Sequence, residues 1–279
     1  MQTLLNTPHE IIQQNILGAA AKAKTRILNI LVLGMMAGSF IAMGAQSSSL
    51  AVHNISNIGL ARTLAGCIFP VGLMMIVFVG GELFTGDCMM SMAWMQRKIH
   101  FADMLRTLVL VYVSNFVGAA LIAFLVAHSG QYDYSSGVLG AYTIKVAYGK
   151  VHLSFANALV SGILCNILVC VAVLMAAAAK DIAGKVLAIF FPILAFVVSG
   201  FEHCVANMYY IPAGIFASKN AAYATKALEL YNIDSTQLSS LNWGSFAISN
   251  LIPVTIGNII GGALLVGGAC FYLHGKALH

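Results

Sequence analysis

Ser199-Gly200-Phe201-Glu202-His203-Cys204-Val205-Ala206-Asn207 interrupts a chain that is otherwise apolar from Val186 to Ala217. Each apolar flank falls short of the roughly 20 residues that an α-helix needs to cross a bilayer core. Together they are too long for one straight crossing. The Glu202-His203 pair is therefore expected near the membrane midplane, on a broken helix. The alternative is a span ending at Gly200, with Glu202 and His203 among the headgroups. An ionisable residue inside the bilayer costs about 2.5–3.5 kcal/mol on insertion scales, which makes it a functional-site candidate.

Working outward, the composition fixes the class. Of 279 residues, 60% are hydrophobic and 8% charged, and the mean hydropathy is +0.89. Such a chain is an integral membrane protein and not a soluble globular domain. The six cysteines show no CxxC or other metal-ligand spacing and read as packing residues, with no disulfide framework. Basic residues are scattered singly, so nothing points to nucleic acid.

Residues 1–27 are too polar for a cleaved signal peptide. Thr7-Pro8-His9-Glu10 carries a capping-box pattern that opens a short amphipathic helix, read as a cytoplasmic surface anchor. Six spans follow, at about 28–50, 63–95, 101–128, 153–179, 186–217 and 247–273, the second and fifth interrupted. With the N-terminus in the cytoplasm, Lys22, Lys24, Arg26, Arg97, Lys98, Arg106, Lys180, Lys185 and Lys276 fall inside. Arg62, Lys145, Lys150, Lys219 and Lys226 fall outside. That excess places both termini in the cytoplasm. The connections 129–152 and 218–246 then face outward, the second with a short helix around 221–230.

The chain repeats internally. Asn115-Phe116-Val117-Gly118 in the third span recurs in register as Asn258-Ile259-Ile260-Gly261 in the sixth, each followed by small residues. Small residues of this kind let membrane helices approach closely. The second and fifth spans share Phe-Pro (Phe69-Pro70, Phe191-Pro192), then a glycine and an acid: Gly80-Gly81-Glu82 and Gly200-Phe201-Glu202. Two three-span halves, 28–128 and 153–273, must insert in opposite senses. The expected fold is all-α, with six transmembrane helices in an inverted 3+3 repeat and two broken helices whose breaks meet at the site. Residues 129–152 connect the halves, and 274–279 form a cytoplasmic tail.

Glu82-Leu83-Phe84-Thr85, Lys150-Val151-His152, Gly200-Phe201-Glu202-His203, Ala206-Asn207-Met208 and the run Asn250 to Asn258 together resemble the formate/nitrite transporter family of pentameric small-anion channels. The likeness extends over roughly residues 5–274. It implies an aquaporin-like protomer in a homopentamer of the inner (cytoplasmic) membrane, carrying formate, nitrite or hydrosulfide, with no cofactor or metal. The resemblance also assigns roles. His203 becomes the central pore residue and Thr85 its partner, with Asn207 and Asn166 as nearby polar groups and Lys150 as an anion-collecting vestibule lysine. Phe69 and Phe196 become an outer constriction and Leu73 and Leu83 an inner one, with Phe84 a further constriction residue.

The chemistry of these residues agrees with that reading. Imidazole, hydroxyl and amide groups all offer hydrogen-bond donors, and two restarting half-helices would aim positive ends at one place. Apolar rings reject hydrated ions, and a bare carboxylate in an apolar strait costs tens of kcal/mol unless neutralised. The anion is therefore expected to take a proton at or near His203, or to pass closely held by donors. Bland readings stand beside these: Thr85 back-bonded to its helix, Asn166 packing between helices, Lys150 a solvated loop lysine, and Glu202 holding a loop. Asp87, at the inner end of the first break, would repel anions unless paired. A pore for small neutral solutes is the alternative function, although no Asn-Pro-Ala motif occurs. An enzyme using Glu202-His203 would need a nucleophile or metal shell, and neither pattern is present.

Overall fold

The computed structural model describes residues 5–275, so the first four residues and most of the expected tail at 274–279 lie outside it. Helix α1 (Pro8–Lys22) is opened by the Thr7–Glu10 capping box. Four elements complete the first half: α2 (Ile27–Val52), α3 (Ile58–Val79) and, beyond the first break, α4 (residues 84–95) leading into α5 (Phe101–Ala127). The second half holds α7 (Phe155–Ala178), α8 (Ile182–Ser199), α9 (Cys204–Ala217) after the second break, and α11 (Trp243–Gly275). Between the halves lies α6 (Val138–Val151), and α10 (Ala221–Tyr231) occupies the later connection where a short helix was expected. Among the described residues, six helices are long and apolar enough to span a membrane.

The repeat is structural. Helices α2 and α5 pack closely in the first half, and α7 and α11 do so in the second. The glycines of the two Asn-x-x-Gly motifs explain the closeness. A Cβ on Gly118 would lie 2.0 Å from the Met35 carbonyl oxygen, and one on Gly261 2.4 Å from that of Ile163. Any larger residue would force these helix pairs apart. The Phe-Pro doublets, by contrast, do not mark equivalent places: Phe69 is buried, whereas Phe191 is 60% exposed on the outer surface of α8.

Helix α6 is an addition to the expected outline, which had a plain connection at 129–152. Its Leu139, Ala141, Ile144 and Ala147 are wholly buried, and α6 packs against α9. At Gly214 the helices nearly touch, since an added Cβ would sit 2.2 Å from that of Ala147. The far-side connection is thus a packed lid over the second half-helix. Both ends of the described stretch lie on one face: Gln13 Nε2 of α1 donates to the carbonyl of His274 at 3.3 Å, and Gln96 Nε2 to that of Gly275 at 2.7 Å. We call this the α1 face and the opposite one the far face.

Candidate functional site

Both interruptions are built the same way. Gly80 (φ +102°) and Gly200 (φ +72°) end α3 and α8 in backbone conformations that side chains with a Cβ rarely adopt. Four residues after each glycine a new helix starts, at Phe84 and at Cys204. The backbone groups freed at such a break have no water to bind and must be satisfied by protein. One asparagine does this in each half. Asn115 Oδ1 accepts from the Phe84 N–H at 3.0 Å, while its Nδ2 donates to the carbonyls of Glu82 and Gly34, both at 2.8 Å. Asn258 Oδ1 accepts from the Cys204 N–H at 2.9 Å, and its Nδ2 donates to Glu202 at 3.1 Å and Gly162 at 2.7 Å. Sequence inspection found these asparagines as a repeat but missed their work. A buried Asn one helix away from a Gly-x-Glu break was the available signal.

The two restarting helices bring Thr85 and His203 together. Thr85 Oγ1 and His203 Nε2 lie 2.9 Å apart, with the side chains fully and almost fully buried. The other ring nitrogen fixes the tautomer. His203 Nδ1 accepts from the Ala206 N–H at 3.0 Å and so caps α9. A nitrogen that accepts a backbone N–H carries no proton, so the neutral ring holds its hydrogen on Nε2 and donates it to Thr85. The Thr85 hydroxyl hydrogen then remains to be given elsewhere. Thr85 is not back-bonded to its helix; its oxygen serves the imidazole.

Cavities lie on either side of this pair. On the far face a chamber of about 260 Å³ is lined by Phe69, Phe196, Lys150, Asn207 and His203 itself. The Phe69 and Phe196 rings meet edge to face at 5.4 Å, and Phe196 lies 6.1 Å from the imidazole. On the α1 face a chamber of about 520 Å³ is lined by Leu73, Leu83, Glu82, Asp87 and four residues of α1, Lys22 among them. Phe84 borders neither cavity. It packs edge to face on Tyr112, 4.8 Å away. Asn166 is also off the cavities: its Nδ2 donates to the carbonyls of Thr85 at 3.1 Å and Asn258 at 2.6 Å, tying the two breaks together.

Behind the far chamber runs a buried polar network. Lys150 Nζ is 2.8 Å from Glu202 Oε1 and stands 5.3 Å over the Tyr210 ring. Glu202 Oε2 accepts from Asn207 Nδ2 at 2.6 Å and from Asn250 Nδ2 at 3.3 Å. Asn207 Nδ2 donates also to Asn250 Oδ1 at 2.7 Å. Both amide hydrogens of Asn207 are thereby committed, and its Oδ1 is left without a partner among the described residues. That oxygen is itself buried, so Asn207 turns no free donor toward the chamber, where one had been expected. Glu202 does not hold the imidazole, whose two nitrogens are otherwise engaged. It holds Lys150 and the two asparagines.

The first half carries the counterpart ion pair. Lys22 Nζ, at the end of α1, lies 2.5 Å from both Glu82 Oε2 and Asp87 Oδ1. Asp87 is thus paired, although its second oxygen has no partner among the described residues. Burial opposes the Lys22 ammonium, but the Asp87 and Glu82 carboxylates outweigh it and raise the pKa above its ordinary 10.5. Because the folded value is the higher one, the stabilisation is complete below about 10.5 and fades only as pH climbs past the raised value. Nothing in the spacing of α1 singled out Lys22 from Lys24 and Arg26.

Two opposed three-span halves, each with a broken helix, converging on a buried polar pair between two cavities, define a transmembrane channel or transporter protomer. The formate/nitrite transporter family model matches residues 9–272. A probable formate transporter of Methanothermobacter thermautotrophicus is 38% identical over 91% of this chain and 91% of its own length. The formate channel FocA of Haemophilus influenzae is 36% identical over 89% of this chain and 88% of its own. A solved pentameric formate channel with formate bound superposes with a TM-score of 0.78 and 31% identity, covering 90% of this chain and 98% of that one. The chain belongs to the formate/nitrite transporter family. It is a transport protein of the membrane and not an enzyme.

Proposed function

We propose that this protein passes small monovalent anions of weak acids, formate first and then nitrite or hydrosulfide, through the route marked by His203 and Thr85. The observation that carries the reading is the buried 2.9 Å contact between those two side chains, placed between an apolar-gated chamber on each side. An anion meeting the strait finds the Thr85 O–H as donor and the positive ends of α4 and α9, roughly half an elementary charge each. A bare carboxylate crossing apolar walls costs far too much, so the anion passes either held by these donors or protonated at the histidine. The relatives named for formate support that order of substrates. We further propose a homopentamer in the cytoplasmic membrane, each protomer with its own pore and both termini on the cytoplasmic side, as the clustering of basic residues favours.

Flux into proteoliposomes of the purified protein tests this, with formate, nitrite, hydrosulfide, acetate, chloride and glycerol compared across pH. Formate entry well above that of empty vesicles is expected. Glycerol entry without formate entry would replace the proposal with a neutral-solute pore. One variant probes the α1 face. Lys22→Gln leaves Glu82 and Asp87 uncompensated at that mouth, so formate flux should fall severalfold at low ionic strength. It should recover in about 0.3 M salt, where the screening length drops well below the 10 Å of 0.1 M solution. A loss independent of salt would show that Lys22 acts through structure alone.

A further inference from the structure

The far chamber is not the first cavity an entering solute meets. A second space of about 500 Å³ opens beyond it, lined among others by His53, Tyr142, Lys145 and Tyr231. Val52, Arg62 and Tyr142 border both cavities, so the two spaces adjoin across these residues. No carboxylate lines either one among the described residues.

The cations around these spaces differ in what they already hold. Lys150 is committed, paired with Glu202 at 2.8 Å. The His53 ring is spent on the Leu50 carbonyl at 2.6 Å and the Ser135 hydroxyl at 2.8 Å. Lys145 faces only the rings of Tyr231 and Tyr142, at 4.6 and 5.9 Å. Arg62, exposed on the first turns of α3, has neither a carboxylate nor a hydrogen-bond partner among the described residues. Its guanidinium lies against Gly200, where a Cβ would come within 3.5 Å of both terminal nitrogens. Gly200 is the break glycine, three residues before His203. The uncommitted fork therefore stands at the boundary between the two cavities, directly outside the chamber that leads to the imidazole.

We propose that Arg62, and not Lys150, receives the anion at the far mouth, and that the outer cavity it shares with Lys145 is a waiting site for small planar oxyanions such as a carboxylate. A guanidinium presents two parallel N–H donors matched to a pair of coplanar oxygens, which an ammonium cannot do. The site would thus favour formate and nitrite over hydrosulfide or chloride before either reaches the strait. Lys145 adds long-range attraction. This refinement rests on the anion-channel reading above.

Three variants separate the possibilities: Arg62→Gln, Arg62→Lys and, as a control on the same face, Lys226→Gln, whose charge is paired with Glu229. In proteoliposomes at low salt, Arg62→Gln should raise the half-saturating formate concentration by roughly tenfold, the order expected for loss of a charge-assisted contact. Hydrosulfide flux should change far less. Arg62→Lys should keep hydrosulfide flux and lose most of the formate preference. Lys226→Gln should match the native protein. A half-saturation within twofold of native for Arg62→Gln overturns the proposal, and so does an Arg62→Lys protein with native selectivity. Line broadening of 13C-formate by the detergent-solubilised protein supplies a second readout that needs no flux. Broadening lost in Arg62→Gln supports the site even if native vesicles carry no formate, an outcome that would sink only the channel reading. Equal broadening in both proteins overturns the site.

Discussion

Asn258→Leu should leave a protein whose second break no longer holds. Leucine matches asparagine in length but can neither accept from the Cys204 N–H nor donate to the Glu202 carbonyl. Those two backbone groups would stay buried without partners, at about 1–3 kcal/mol each, which sums to roughly 2–6 kcal/mol. Against a net folding stability of about 5–15 kcal/mol for a typical domain, that is a large share. Asn115→Leu should do the same to the first break, stranding the Phe84 N–H and the Glu82 carbonyl. The measurement is thermal unfolding in detergent, followed by size-exclusion chromatography. Variants that melt within a degree or two of the native protein would show that the breaks are held by something other than these amides.

A second large effect is expected at His203, where capping and proton chemistry can be separated. Asparagine is a strong N-cap residue, so His203→Asn retains an acceptor for the Ala206 N–H while removing the only titratable group of the strait. The fold should survive. Formate flux should fall at least tenfold if passage uses a proton at the ring, a barrier increase of about 1.4 kcal/mol or more, and the dependence of flux on pH should flatten. His203→Ala, by comparison, also loses the cap, worth about 1 kcal/mol, and should be less stable as well as slower. Native flux with a native pH slope in His203→Asn would refute the proton role and leave the held-anion route. The ring geometry sharpens the point. To become imidazolium, His203 must protonate Nδ1 and release the Ala206 N–H, so charging the ring and loosening the start of α9 are one event.

Much of this architecture was readable from residue order. The two Gly-x-Glu interruptions within apolar runs and the recurring Asn-x-x-Gly fix the inverted repeat, because few soluble or membrane folds tolerate polar breaks at mid-span. The Thr7–Glu10 capping box marked the start of α1 to the residue. Helix α6 went unseen for a physical reason. It begins after Gly137 in a left-handed conformation with no side-chain cap, and its length of 14 residues is too short to span. Lys22 and Arg62 were counted only for orientation. Their partners, or lack of them, depend on side-chain directions that spacing does not encode: Lys22 turns to Glu82 and Asp87, whereas Arg62 turns to a glycine. Asn207 was expected to donate, and the competition of Glu202 and Asn250 for its hydrogens could not be read from one sequence.

The asparagine staples also bear on biosynthesis. Every group that Asn115 satisfies belongs to residues 28–128, and every group that Asn258 satisfies belongs to residues 153–273. Each half therefore seals its own interruption before it meets the other. A nascent amino-terminal half emerging into the bilayer need not wait, with raw amides in hydrocarbon, for the ribosome to finish the carboxy-terminal one. The contacts between the halves, among them the stitch from Asn166 to Thr85, the contact of Thr85 with His203 and the Tyr112–Thr255 hydrogen bond, are added when the halves close.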